Sequence, residues 1–286
     1  MSVVDPKHFK EIQRHNWDSV AHGWEKWWRT IEIGAGKASR RLIELASIKI
    51  GSKVLDISTG IGEPAITAAR EVGNTGQVLA TDISSEMLSI AKQRAINAGL
   101  QRVIAFKQGD TGTIELPNST FDAALCRFGL MFLPDLDNAL LNIYGSLVNG
   151  GRFAAAVWTS PEKDSLFTST MNTVMKETRT SPPPGVPGPF SLSDESLLRN
   201  YFVNSGFKDV TIERMNVTFD FESSKEYASF VHETAGPLHE MLSNESSERR
   251  QKILKAVSES ARKFADNTGT GKVKFSNDAI CIIGKK

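Results

Sequence analysis

Val54-Leu55-Asp56-Ile57-Ser58-Thr59-Gly60-Ile61-Gly62-Glu63-Pro64-Ala65-Ile66-Thr67-Ala68-Ala69-Arg70 decides the fold. It opens as an apolar strand ending in an acid, passes through a glycine-rich turn and enters a helix. Pro64 suits the first turn of that helix, where its missing N–H costs nothing. Twenty residues after Gly62, Asp82 closes a second apolar run, Gln77-Val78-Leu79-Ala80-Thr81-Asp82. Strand, glycine turn, helix and a second acid-tipped strand form the first half of a nucleoside-binding βαβ unit.

The acids narrow the choice of nucleoside. Gly60, Gly62 and Ala65 satisfy the loose G-x-G-x-x-G/A pattern of dinucleotide-binding folds, in which a pyrophosphate rests on the helix N-terminus. Here Asp56 precedes the glycines, Glu63 lies in the turn, and residues 54–69 hold no Lys or Arg. Two carboxylates repel a pyrophosphate and attract a cation. S-adenosylmethionine (SAM) carries an ammonium and a sulfonium, has a ribose for Asp82 to hold, and has no phosphate.

With these residues the chain resembles the class I SAM-dependent methyltransferases, in particular the small-molecule branch that includes the ubiquinone/menaquinone C-methyltransferases. The resemblance covers residues 15–160 and, more loosely, the C-terminal third. Asp56–Gly62 is similar to the family's D-x-G-x-G-x-G turn, with Ser58 at the first glycine. Gly109-Asp110-Thr111 follows the apolar run Val103–Phe106, where the family carries an acid near the adenine amino group. Phe121–Leu125 looks like the fourth strand, and Leu147-Val148-Asn149-Gly150-Gly151-Arg152 like the L-x-P-G-G turn before the fifth, with Asn149 for proline. The resemblance implies SAM as cofactor, with S-adenosylhomocysteine (SAH) as product and no metal. It implies a cofactor-binding set of Trp24, Asp56, Ser58, Thr59, Gly60, Gly62, Asp82, Ile83, Met87, Gly109, Asp110, Thr111, Cys126 and Arg127.

Composition bounds the rest. The 286 residues are 40% hydrophobic, enough for one large or two small domains with a substantial core. Net charge is +1, so no electrostatic footprint for nucleic acid is expected. Cys126 and Cys281 lie in apolar runs and read as buried free thiols of a reducing compartment. No apolar run reaches membrane-spanning length, and Met1–Lys7 lacks a signal-peptide core, which gives a cytoplasmic expectation.

Apolar periodicity predicts helices near 7–29, 37–48, 62–72, 84–98 and 135–147 and strands near 53–57, 77–82, 103–107, 122–127 and 152–158. That alternation is an α/β, doubly wound, seven-stranded, mostly parallel sheet, a Rossmann-like methyltransferase fold with a helical cap from insertions. The expected division is lid helices and cofactor core over 1–160, a cap insertion over 161–190, a core helix and strand over 191–221, a second cap insertion over 222–272 and a final strand over 273–286. Glu162–Thr178 reads as a helix, and another starts at Ser193 as N-cap and runs to Gly206. Val210–Phe221 alternates like a strand, 224–265 reads as two or three helices, and Ala279–Ile283 as the last strand. Ser181–Pro189 is a semi-rigid Pro-rich segment, either a plain connector or the hinge of a substrate lid.

The N-terminal helix holds four of the five tryptophans. Trp17, Ala21, Trp24 and Trp28 share one helical face, as a core stripe or as a lid over cofactor and aromatic substrate. An aromatic face also suits a sulfonium, which favours Trp24 as a cofactor contact and Trp28 as a substrate contact. Cys126-Arg127-Phe128-Gly129-Leu130-Met131-Phe132 leaves the fourth strand at the ligand edge, where the quinone C-methyltransferases have Phe-Gly-Leu followed by Arg-Asn. This chain has Met131-Phe132 there, and its arginine comes earlier. Arg127 is either the orienting cation for a phenolate, enolate or carboxylate, or a structural ion pair. Phe128, Met131 and Phe132 either line a substrate pocket or pack. Among the histidines, His22 and His232 are the candidate general bases, against surface or packing roles.

The expected acceptor is a small molecule, apolar and aromatic, of quinone- or polyketide-like type. Two rivals remain open, an NAD-dependent oxidoreductase and a SAM-binding protein without methyl transfer.

Overall fold

A computed structural model describes residues 6–163, 165–180, 186–243, 245–265 and 269–286. Seven strands form one sheet in the order β3-β2-β1-β4-β5-β7-β6. They are β1 (Lys53–Ile57), β2 (Gln77–Asp82), β3 (Ile104–Gln108), β4 (Phe121–Arg127), β5 (Leu147–Trp158), β6 (Lys208–Phe221) and β7 (Val273–Lys285). The first five run parallel, and β7 runs antiparallel to both β5 and β6. The strand order reverses between β1 and β4, and ligands of open α/β sheets bind at such a reversal, at the carboxyl ends.

Helices α3 (Ala65–Val72), α4 (Ser85–Asn97), α5 (Leu136–Ser146) and α7 (Glu195–Asn204) are the crossovers. The small residues of α3, Ala65, Ala68 and Ala69, are buried with Val54, Val78 and Ala80 on one sheet face. The other face is richer in aromatics, with Phe153, Phe202 and Phe207. Both cysteines are buried and free. Among the described residues, no helix is long and apolar enough to cross a membrane.

The N-terminal region differs from the periodicity. Helix α1 covers Pro6–Lys26 and α2 covers Trp28–Leu45, with Trp27 at the break. Gly34 and Gly36 lower local helix propensity, which is why 30–36 reads as a gap, yet both lie within α2. A Cβ at Gly34 would stand 2.5 Å from the Phe219 ring, so tertiary packing of α2 on β6 overrides propensity there. Trp28 therefore leaves the face shared by Trp17, Ala21 and Trp24.

After β5, α6 (Ser165–Thr178) follows a short 3₁₀ turn, and between β6 and β7 come α8 (Ser224–Thr234), α9 (Gly236–Ser243) and α10 (Ser247–Ala261). Helix α10 packs on both α6 and α8, while α8 and α9 pack on α1. The inserted helices and the N-terminal helix thus form one layer at the carboxyl edge. Helix α7 is capped by Asp194, which accepts from the N–H groups of Ser196 and Leu197, one residue later than the expected Ser193 cap. Ser181–Gly185 of the Pro-rich segment lies outside the described residues.

Candidate active site

The turn after β1 is built around two buried acids. Asp56, fully buried, accepts from Thr59 Oγ1 at 2.6 Å and Ala65 N–H at 2.9 Å, both on Oδ2. Its Oδ1 is buried without a partner. Burial pushes this carboxyl up to about 7, against those two hydrogen bonds and the charge of Arg127. Asp82, at the tip of β2, accepts from the N–H groups of Gly60 (2.8 Å) and Ser84 (2.9 Å), and burial lifts it to about 6. The glycine turn is thereby tied across to β2.

Left-handed backbone makes this turn possible. Ser58 (φ 54°), Gly60 (φ 55°) and Gly62 (φ 103°) all have positive φ. A side chain at Gly62 would also press on Ile66 and Ala91. Pro64 precedes the helix proper as its N-cap residue, one place earlier than expected. Gly109 donates to the Asp82 carbonyl at 2.9 Å and abuts Ile114, which brings the Gly109-Asp110-Thr111 turn alongside. Asp82 and Asp110 thus stand at adjacent strand ends, with Ile83 half-buried and Thr111 buried beside them.

The absence of basic residues within 54–69 does not survive folding. Arg127 and Arg94 come in from β4 and α4 to face Glu63, and Glu32 comes in from α2. Glu63 is raised by burial first and by Glu32 second, and Thr67 satisfies it through Oγ1 at 2.6 Å. Arg94 donates to the Ile61 carbonyl, and burial lowers its pKa. Asp56, Glu63 and Glu32 are thus met by Arg94 and Arg127, with Arg70 also near Arg94, so folding offsets the turn's carboxylates with arginines that its own stretch of sequence lacks.

Arg127 is committed to that network. Its Nη2 lies 2.9 Å from Glu32 Oε1, and its Nη1 bonds Glu32 Oε2 at 3.2 Å and Ser39 Oγ at 2.9 Å. Burial opposes the charge, and Glu32, Glu63 and Asp56 overcome it. With the side chain 6% exposed, the ion-pair alternative describes it, and the substrate-orienting one does not. The partners Glu32 and Ser39 carry no motif; only α2 packing over β4 brings them in.

Phe128 follows with φ 59°, an unusual conformation for a bulky residue. Its N–H bonds the Ala156 carbonyl at 2.8 Å, and its ring stacks on Trp158 at 4.0 Å. Trp158 meets Phe167 of α6 at 5.6 Å. Gly129 lets the segment lie against Ser58, since a Cβ there would sit 2.5 Å from Ser58 Cβ. Phe132 meets Trp17 edge-on at 5.2 Å, and Trp17 meets Trp24 at 6.1 Å. Met131 is 2% exposed within the main core and packs there. Cys126 is likewise buried, and burial raises its thiol pKa, so it has no thiolate character.

Trp24 donates through Nε1 to the Thr234 carbonyl at 2.8 Å, tying α1 to the end of α8. Val20 and Ala21 of α1 cover Ile61 of the glycine turn and Met87 and Ile90 of α4, with Trp17 and Trp24 against them. Helix α1 is therefore a roof on the cofactor turn. Trp28 is 38% exposed and faces Arg94 and Arg29, so it is not beside the Trp17–Phe132 group. The His22 side chain is 86% exposed next to Glu25, which places it on the surface and not at a reacting centre. His232 is half-buried, its ring stacked on His239 at 5.5 Å with Nδ1 lacking a partner. Its pKa is lowered by burial and then by His239 and Arg250. Trp17 joins the site from the aromatic face of α1. Lys10, Asp18, Trp158 and Phe167 join it although the sequence patterns did not mark them as contacts, and nothing local flags them.

The residues fit SAM: an unpartnered buried carboxylate oxygen at Asp56 beside the glycine turn, and acids at the next two strand ends. Among the described residues there is no group of three or more His, Cys, Asp or Glu that could hold a metal.

The chain is 37% identical over 127 residues to a ubiquinone/menaquinone biosynthesis C-methyltransferase of Cellvibrio japonicus, covering 44% of this chain and 51% of that protein. It thus spans about half the length of such curated relatives. Among solved structures it resembles the YcgJ protein of Bacillus subtilis, with a TM-score of 0.57 at 19% identity over 88% of this chain and 98% of that one. It also resembles the [4+2]-cyclase SpnF, with a TM-score of 0.54 at 19% identity over 88% of this chain and 81% of that one. These likenesses carry the fold alone. The profile of the ubiE/COQ5 methyltransferase family matches residues 7–176 of the 286, which include the whole glycine turn, the acids and β4. The chain therefore belongs to the ubiE/COQ5 methyltransferase family.

Proposed function

We propose that this protein is a SAM-dependent methyltransferase acting on an apolar, aromatic small molecule of quinone or polyketide type. The observation that carries it is the Asp56–Asp82–Asp110 series at neighbouring strand ends, with the Asp56 Oδ1 left to accept from a ligand. The aromatic row Phe128–Trp158–Phe167 and the pair Trp17–Phe132 support an acceptor with a flat apolar face.

When bound, SAM supplies an activated methyl group. The chain's part is alignment. Asp82 holds the ribose hydroxyls with the lone pairs its backbone N–H partners leave free. Asp110 accepts from the adenine amine. Asp56 and the turn at Gly60 and Gly62 hold the methionine portion. The roof of Val20, Ala21, Trp17 and Trp24 excludes water, and the aromatic rows set the acceptor in line. Alignment of this kind supplies much of the rate for a displacement whose leaving group is already activated.

Titration with SAH and NAD, followed by transfer of radiolabelled methyl to phenols, quinones and amines, tests this. SAH binding and label in a phenol or quinone is the expected result. NAD binding without SAH binding overturns it in favour of the oxidoreductase. SAH binding with no labelled product from any acceptor favours a SAM-binding protein of other activity.

A further inference from the structure

Helix α1 touches Asp110 directly and Asp82 through Ser84. Lys10 Nζ lies 2.7 Å from Asp110 Oδ1, with the two side chains only 19% and 14% exposed. Thr113 Oγ1 reaches the same oxygen at 3.1 Å, and no hydrogen bond to Oδ2 is present among the described residues. Two turns along, about 12 Å by helix rise, Asp18 accepts from Ser84 Oγ at 2.6 Å and from Glu86 N–H at 3.3 Å. Ser84 in turn donates its N–H to Asp82. One helix thus reads the state of the adenine acid directly and of the ribose acid through one serine.

We propose that Lys10 is a cofactor-positioning residue: its ammonium clamps Asp110 so that α1 closure and adenosine binding stabilise each other. This rests on the SAM reading above. Lys10 and Thr113 occupy Oδ1 and fix the carboxylate plane, and Oδ2 is turned over to an exocyclic amine. The coupling is reciprocal, so whatever orders α1 tightens the nucleoside and the nucleoside orders α1. The inference differs from a plain surface ion pair because the pair is mostly desolvated and one of its members faces the ligand.

The test uses the full chain with SAH as probe. SAH affinity is measured for wild type, Lys10→Met, Lys10→Arg, Asp110→Asn and the Lys10→Met/Asp110→Asn double variant, together with amide hydrogen exchange over α1. Lys10→Met is expected to weaken SAH about tenfold, the size of one charge-assisted contact. Lys10→Arg recovers most of that, and Lys10→Met adds little in the Asp110→Asn background. SAH slows exchange in α1 of wild type and does so less in Lys10→Met. Equal SAH affinity in wild type and Lys10→Met, or a loss that is undiminished when Asp110 is already Asn, overturns the clamp. Wild-type protein that does not bind SAH overturns the cofactor reading instead, a separate and recognisable outcome. Melting curves accompany each variant, and should Lys10→Met not fold, Lys10→Gln takes its place in the cycle with the same outcomes.

Discussion

Arg127, the last residue of β4, meets Glu32 of α2 through both terminal guanidinium nitrogens, Nη2 at 2.9 Å and Nη1 at 3.2 Å, behind the glycine turn. The contact joins the N-terminal helices to the sheet at the point where β4 gives way to the aromatic segment. Removing one partner leaves the other charge buried and unpaired. Glu32→Gln or Arg127→Gln is expected to lower unfolding free energy by about 3 kcal/mol. Urea melts check this, and the double variant should lose clearly less than the sum. Arg127→Lys should not recover the loss, because an ammonium cannot span two carboxylate oxygens and Ser39.

The buried acids give a pH dependence with a defined sign. Asp56 is raised to about 7 and Asp82 to about 6 by burial. Over that range the folded chain keeps protons that the unfolded chain has lost. Their contribution to stability is therefore full below about pH 4 and is lost as pH rises toward 7. Ligand binding runs the other way, since an ammonium prefers ionised Asp56. SAH affinity should rise between about pH 6 and pH 8 and then level. In Asp56→Asn the upper part of that rise should vanish in calorimetric titration; an unchanged profile would assign it to another group.

Ser58, in the glycine turn, holds a left-handed φ of 54°. Ser58→Gly relieves that conformation and is expected to stabilise the chain by about 1 kcal/mol, net of glycine's larger unfolded-state entropy. Thermal unfolding is the measurement, and a lower midpoint would show that the serine side chain contributes more than its backbone costs.

Gly23 of α1 lies against α8 so closely that a Cβ would fall 1.7 Å from the Glu233 carbonyl oxygen. Gly23→Ala must push the two helices apart and disturb the Trp27–Glu233 and Trp24–Thr234 bonds. A cost of about 1–3 kcal/mol is expected. Limited proteolysis should cut α1 faster in the variant, with SAH affinity reduced because the roof over Ile61 and Met87 no longer seats.

His22→Ala should leave methyl transfer within about twofold of wild type, as befits a surface side chain. Phe128→Ala or Trp158→Ala should raise the acceptor KM with little change in SAH affinity. Initial-rate kinetics with varied acceptor separates these outcomes.

Local sequence was enough for the number of strands and the glycine turn, which follow from apolar periodicity and short-range turn chemistry, and Asp56, Gly60, Gly62, Asp82 and Asp110 sit where that pattern puts them. Two strands start earlier than the periodicity predicts. Strand β5 takes in Leu147–Arg152, expected as a turn, and β7 begins at Val273, ahead of the expected apolar run Ala279–Ile283, because pairing with neighbouring strands extends them past their apolar stretches. The first two strands were legible to the residue. The break at Trp27 and the continuous α2 were not, because Gly34 is helical for the sake of Phe219 in a strand nearly two hundred residues away. The same holds for charge. Read along the chain, Asp56 and Glu63 have no basic neighbour, but folding brings Arg94, Arg127 and Glu32 to them from three other elements. The sequence alone determined that this protein has an acid-tipped βαβ fold with a glycine turn, since periodicity and turn residues are local properties. Tertiary structure alone decided that Arg127 is spent on Glu32, that His22 faces water and that Lys10 reaches Asp110, because burial and pairing are set by elements far apart in the chain.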